Sequence, residues 1–405
     1  MVLAFSDDIS SRISEAFDRA VAAVHKRGSY DPSMLNNPEV SPLITETAAV
    51  FSQAIDTSIK KTDMPAAMRA KLEHSSFIFS GFKTHAELEE VSRLLSTDGV
   101  KTPFDTFARQ VKAIDKDYNL NYLRAEYNFA VHSSRSAALW QRYSQDIDRY
   151  YLQYRTAGDE RVREDHRPLH DITLPADDPF WAEYFPPNGW NCRCTAVRVR
   201  RSKYEPSDHG KAMEAGQRAT TSLDKHGHNR AAIFRFNPGA QETLFPPRHP
   251  YYKLSAADKE TVTTAVDKVV ANKSLRQVAV ENLKAFQAQP PVKKVINGEE
   301  VAVLFDSKTT SHIANDIANN KNFLWRDLTA KLQAVLKKAS LVAHEPNTKT
   351  AQKPSAIHYY YYEYKEGSEV LYLAVEENLV KKTGRHFFRL YSLTKTLRET
   401  AILYK

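Results

Sequence analysis

The stretch PPNGWNCRC, residues 186–194, holds both cysteines of a 405-residue chain and one of its four tryptophans. Two prolines fix the chain direction, and Asn188-Gly189 permits a positive φ and a sharp turn. Trp190 then folds back as an apolar anchor. Cys192 and Cys194 lie two apart, so on a strand both thiols point to one face and Arg193 to the other. Three readings of the pair stay open. A disulfide between them closes a very small, strained ring. A structural zinc needs about four ligands, which Cys192, Cys194, His166 and His170 supply if the two histidines, four apart, share a helical turn. In the third reading the thiols fill a core and His166 bonds a neighbouring group.

Upstream, residues 1–115 read as helix. Ile9, Ile13, Phe17, Val21 and Val24 recur at spacings of three and four and make one apolar stripe. Thr84, with Glu87 three residues on, is a capping-box pattern for a helix start. A long helix is expected over residues 118–143, with Leu120, Leu123, Tyr127, Ala130 and Val131 inward. At Tyr151 the texture changes to short, turn-rich pieces that end in the alternating CRCTAVRVR. Residues 202–250 mix Pro, Gly and aromatics and read as an extended arm laid on a surface. Helical spacing resumes after Ser255, a candidate cap, and Pro290-Pro291 stop it.

Beyond Val292 come a strand (VAVLF), a helical stretch with Ile313, Ile317, Leu324, Leu328, Leu332 and Val335 inward, and three strands, AIHYYYYEYK, EVLYLAVEEN and HFFRLYSL. The apolar VLYLAV marks a central strand buried on both faces. The expected class is multidomain α+β: a helical N-terminal region (1–74), a small α+β module (75–201), an extended arm and helical linker (202–291), and a C-terminal α+β domain with an antiparallel sheet (292–405).

Composition narrows the function classes. The chain is 42% hydrophobic and 26% charged, as globular proteins are. No apolar run approaches the roughly 18 residues of a membrane span, so no membrane segment is expected. The N-terminus carries acids early and does not read as a secretory signal. Two cysteines make no disulfide framework and suggest a reducing compartment. The net charge of +8 is uneven: residues 198–235 hold nine basic against four acidic side chains, and residues 293–405 hold 18 against 12. A polyanion would meet the chain there.

YRTAGDERVREDHRPLH followed by DDPFWAEYFPPNGWNCRC resembles the signature of the phage Mu F-like minor head protein family. The matching elements, in order, are Arg163, His166, Asp178-Pro179-Phe180-Trp181, Pro187, Gly189, Cys192, Arg193 and Cys194. The resemblance covers roughly residues 75–200, and the FNPG and HPYY of the arm are similar to the segment beyond the motif in some members. It implies a component of a tailed-phage or prophage head, with the portal and other head proteins as partners, found in the head interior or the bacterial host cytoplasm. It implies structural roles for Arg163, His166, Trp181, Gly189, Cys192 and Cys194.

Such modules are sometimes fused to an effector, and the C-terminal domain resembles phage-associated barnase, EndoU and RelE-like nucleases. That implies a metal-independent RNase toxin, an RNA substrate and an immunity protein. Relatives often carry two histidines on the helix; here His312 fills the first place and Asn319-Asn320 stand at the second.

The chemistry needs a base for the 2′-hydroxyl, an acid for the leaving oxygen and cations for the phosphorane. His312 is the base candidate because its ordinary pKa lies near working pH. A regular RHFFRLYS strand puts Arg389 and Tyr391 on one face as phosphate clamp and orienting group, with Ser392 and Thr394 in reserve. The tyrosine-rich strand offers aromatic faces for base stacking. Two alternatives remain: a purely architectural C-terminal domain that binds nucleic acid or head proteins without cleaving, and a middle module that is itself a zinc hydrolase.

Overall fold

The computed structural model describes residues 7–59, 64–97, 99–144, 147–287, 290–319, 328–329, 331–348, 353–366, 369–380 and 382–404. They fall into two compact units, Met1–Lys268 and Val269–Lys405. The architecture is mixed α+β, as the periodicities predict. No helix among the described residues is long and apolar enough to cross a membrane.

The first unit opens with helices α1 (Asp7–Arg27), α2 (Ser41–Ile59) and α3 (Ala66–Ser92). Ile13, Phe17, Val21 and Val24 are buried on α1, the stripe their spacing requires. Helix α3 does not start at Thr84. It runs unbroken through that position, where Thr84 and Glu87 are buried on its inner side. Gly81 sits inside this helix because a Cβ there would overlap Val266. A short hairpin, β1 (Ser96–Thr97) with β2 (Val100–Lys101), precedes α4 (Phe104–Gln110) and α5 (Lys112–Asp115). A π-helical stretch, Lys116–Tyr122, then leads into α6 (Leu123–Tyr143). That wider turn rotates the expected stripe: Leu120 is exposed and Val131 only half-buried, while Glu126, Phe129 and Ser133 face inward. Buried Glu126 is held by buried Lys83 at 2.6 Å and by the Tyr251 hydroxyl at 3.1 Å.

A three-stranded antiparallel sheet comes next, in the order β4 (Thr173–Pro175), β3 (Tyr150–Arg155), β5 (Thr195–Arg200). Helices α7 (Phe180–Tyr184) and α8 (His209–Ala219) complete its core, with Phe180 and Trp181 fully buried. Residues 202–250 are laid on a surface only in their first part, which is largely exposed; from Phe234 onward the segment enters the core. Phe236, Leu244 and Phe245 are core residues, Phe245 stacks on Phe79 at 3.7 Å, and Asn237 donates to the Trp181 carbonyl at 3.0 Å. The aromatics make this segment an internal strap, because their buried area outweighs its irregular backbone.

Helix α9 (Ala256–Gln287) starts on Ser255, whose hydroxyl accepts from the Asp258 amide at 3.1 Å. In the second unit, β6 (Val292–Ile296) and β7 (Glu299–Leu304) form a hairpin closed by Asn297-Gly298, both at positive φ. An Asn-Gly pair between apolar runs signals such a hairpin, which replaces the single strand expected there. Then come α10 (Ser307–Asn319), α11 (Leu332–Lys338), β8 (Ser340–Pro346), β9 (Ala356–Glu366), β10 (Glu369–Val380), β11 (Arg385–Thr394) and β12 (Ile402–Leu403).

The sheet order is β12-β8-β9-β10-β11-β7-β6, and only β11 with β7 is parallel. β10 is central, with Leu371, Leu373 and Val375 in the main core. Ile313, Ile317, Leu332 and Val335 cover that face, whereas Leu324 lies outside the described residues. Tyr359 through Tyr362 are all buried, so they cover the sheet rather than present a stacking surface.

Candidate functional sites

In the first unit the turn at residues 186–194 brings both thiols onto His166. The Nδ1 of His166 lies 3.7 Å from Cys192 Sγ and 3.8 Å from Cys194 Sγ, and all three residues are buried. The positive φ of the turn falls on Asn191, not on Asn188 or Gly189. Gly189 is required for another reason. A Cβ there would lie 2.9 Å from Nη1 of Arg163, which donates through Nη2 to the Trp190 carbonyl. Arg163 thus clamps the turn, and Trp190 packs edge-on against Phe129 and Phe234. Arg193, between the two cysteines, lines the same cavity as the thiols and pairs through both Nη atoms with Asp159 at 2.6 Å. That bond holds Asp159 down to about 2.

The cysteines precede β5 rather than lie in it, and both are free thiols. His170 is not part of the group. Its Nδ1 meets the Thr156 hydroxyl at 2.8 Å, beside Arg155 and Asp171. Residues Glu164–Leu169 form a 3-10 turn. With three residues per turn, positions four apart point roughly 120° away from each other, so His166 and His170 diverge. The three remaining residues can hold a metal ion, their ligating atoms all within 4.8 Å of one another. A hydrogen bond from the Cys194 thiol, helped by the His166 ring, holds Cys192 well below the usual thiol range. The group opens on a cavity of about 380 Å³, lined also by Asn128, His132, Arg161 and Arg163.

In the second unit His312, Tyr391, Ser392 and Thr394 line one cavity of about 420 Å³. His312 stands on the first turns of α10, and its ring centroid is 4.7 Å from that of Tyr391. A bulge in the β10–β11 pairing at Ala374/Val375 leaves Tyr391 as the extra residue, so Tyr391 and Ser392 both reach a cavity that strict alternation would deny to one of them.

Arg389 does not line it. Its guanidinium is held by buried Glu376 at 2.6 Å and by Asp306 at 3.1 Å, so the two-donor clamp closes on a carboxylate of the chain itself. Asp316, Lys395 and Arg398 line the cavity, and Lys353 lies 3.6 Å over the Tyr391 ring. Sequence reasoning missed these four groups. The spacing of Asp316, one helical turn after His312, is a signal that could have found it. Lys353 and Arg398 come from connecting segments and leave no such sign. Burial and then Lys353 pull His312 below its ordinary value, and burial pushes Asp316 up to about 6.

Comparison with known proteins places the first site. Residues 99–197 match the family described as "Phage Mu protein F like protein". The chain is 40% identical over 75 residues to a putative capsid assembly protein F of Escherichia phage Mu, covering 18% of this chain and 16% of that protein. It is 34% identical over 110 residues to the Mu-like prophage FluMu F protein of Haemophilus influenzae, covering 25% of each. An uncharacterized protein of Methanocaldococcus jannaschii is 34% identical over 111 residues, covering 26% of this chain and 16% of that protein. The chain therefore spans a quarter or less of the length of these relatives. No solved structure matches the chain. The span that carries the His166, Cys192 and Cys194 group is a Phage Mu F-like domain.

Proposed function

We propose that this chain is a minor head or capsid-assembly component of a tailed phage or prophage, working with portal and head proteins, whose C-terminal unit cleaves RNA without a metal. The Phage Mu F-like domain carries the first part, since two relatives are named for protein F of Mu or of a Mu-like prophage. Virion or prophage-particle preparations analysed by mass spectrometry would contain the chain; heads that form with the chain absent from them would refute it.

The cavity of His312, Tyr391, Ser392 and Thr394 supports the second part. In this reading neutral His312 takes the 2′-hydroxyl proton. Asp316, partly protonated because its pKa rises to about 6, returns a proton to the leaving 5′-oxygen. Arg398 and Lys395 face the phosphorane charge, and the hydroxyls of Ser392 and Thr394 bond its oxygens. Arg389 serves as a positioning residue beneath the site. An immunity protein would cover this cavity. The engagement of Arg389 by Glu376 and Asp306 favours a second reading, in which the unit binds nucleic acid or a head protein without cleaving it.

The purified chain incubated with RNA in excess chelator separates the two. Cleavage leaving 2′,3′-cyclic phosphate ends is expected, falling about 100-fold or more in His312→Ala. The rate would drop on the acid side as His312 gains a proton, with the midpoint below its ordinary value of 6.5. A folded chain that binds RNA and leaves it intact would establish the second reading instead.

A further inference from the structure

His166, Cys192 and Cys194 are buried, yet all three line the same cavity of about 380 Å³. Their nitrogen–sulfur separations are 3.7 and 3.8 Å. A tetrahedral zinc with Zn–S of about 2.3 Å and Zn–N of about 2.0–2.1 Å sets such atoms roughly 3.6 Å apart. Both nitrogen–sulfur separations therefore fit zinc ligation, and all three ligating atoms lie within 4.8 Å of one another. Thiols are weak donors, so contacts of this length satisfy the buried imidazole poorly. One shared cation satisfies both sulfurs and the ring. The Tyr154 hydroxyl touches Cys194 and is itself anchored by donating to Asn188 Oδ1 at 2.9 Å, which packs the ring firmly beside that sulfur.

Among the described residues no fourth histidine, cysteine or carboxylate joins the group. The fourth corner is left to the cavity, whose walls include Arg161, Arg163 and Arg193 with the amides of Asn128 and Asn191. Such a cationic, donor-rich wall favours hydroxide or a small anion on a metal.

We propose that His166, Cys192 and Cys194 bind one zinc ion whose fourth coordination position is exchangeable and opens on this arginine-lined cavity, where it takes water or a small anion. The site requires neither the head-assembly reading nor the RNA-cleaving one.

The test uses the full chain, purified with its thiols reduced and loaded with zinc or cobalt(II). One metal per chain, an intense near-ultraviolet sulfur-to-cobalt band, and visible bands that shift on titration with azide are expected. Cys192→Ser and His166→Ala lose the metal, whereas His170→Ala keeps it. A wild-type chain that takes up no metal overturns the site. A cobalt spectrum indifferent to azide, or loss of the metal in His132→Ala, overturns the exchangeable position. The wild-type measurements stand whether or not a variant folds.

Discussion

The two candidate sites are built in opposite ways. In the first unit, every residue of the thiol–histidine knot comes from one continuous stretch between Tyr154 and Cys194, and the clamp on its turn is Arg163, from the same stretch. In the second unit, the cavity draws on α10, on β11 and on connecting segments that hold Lys353 and Arg398, and a buried ion network underlies it. A local site is set by turn geometry within its own stretch, while more distant groups such as Phe129 and Phe234 hold its anchor Trp190. A distributed site is fixed by sheet register and by the balance of charges removed from water.

The largest effect expected on this contrast comes from the local site's packing. Trp181 is fully buried, and Trp181→Ala should cost about 3–5 kcal/mol in urea unfolding, mostly as a cavity the short segment cannot refill. Next comes the distributed site. Arg389→Met strands buried Glu376, with Lys353 left at 3.6 Å, and should cost about 3 kcal/mol; adding Glu376→Gln should recover most of it. If the double variant is no more stable than the single one, the charges are not what organises that cavity.

A smaller loss, about 1–3 kcal/mol, is expected for Gly189→Ala, because the new methyl meets the Arg163 guanidinium. In an Arg163→Ala background the same change should cost little, and a double-mutant cycle reads the difference directly.

The last effect is a slope with pH rather than a loss at one pH. Burial raises Glu87 to about 8 from 4.5, partly offset by Lys83. Between those values the folded chain keeps a proton that the unfolded chain has released, so this residue makes stability fall as pH rises from 4.5 to 8. Glu87→Gln should flatten that part of the thermal-unfolding profile; an unchanged slope would mean Glu87 does not carry it.

Glu87 also shows where sequence patterns mislead. Thr84 and Glu87 match a capping box, but the helix continues through them, and Glu87 accepts from Asn119 at 2.7 Å inside the fold. A cap pattern records local preference only, and the burial of a long inward face decides whether the helix goes on. The same lesson holds for the arm after Ser202, whose aromatics were visible but whose place in the core was not. It holds for β11, where one bulged residue changed which side chains share a cavity. His170 failed for a local reason: a 3-10 turn replaced the expected helical one.

From its sequence alone this chain determined its α+β class, the stripe of α1, the cap at Ser255 and the central β10 strand. Each comes from periodicity or from turn chemistry within a short stretch, where few conformations compete. Only the tertiary structure decided that His170 leaves the group, that Gly189 answers to Arg163, and that Arg389 clamps Glu376 instead of facing the cavity. Those outcomes depend on distant groups competing for the same buried partners, and a linear pattern carries no record of which partner is within reach.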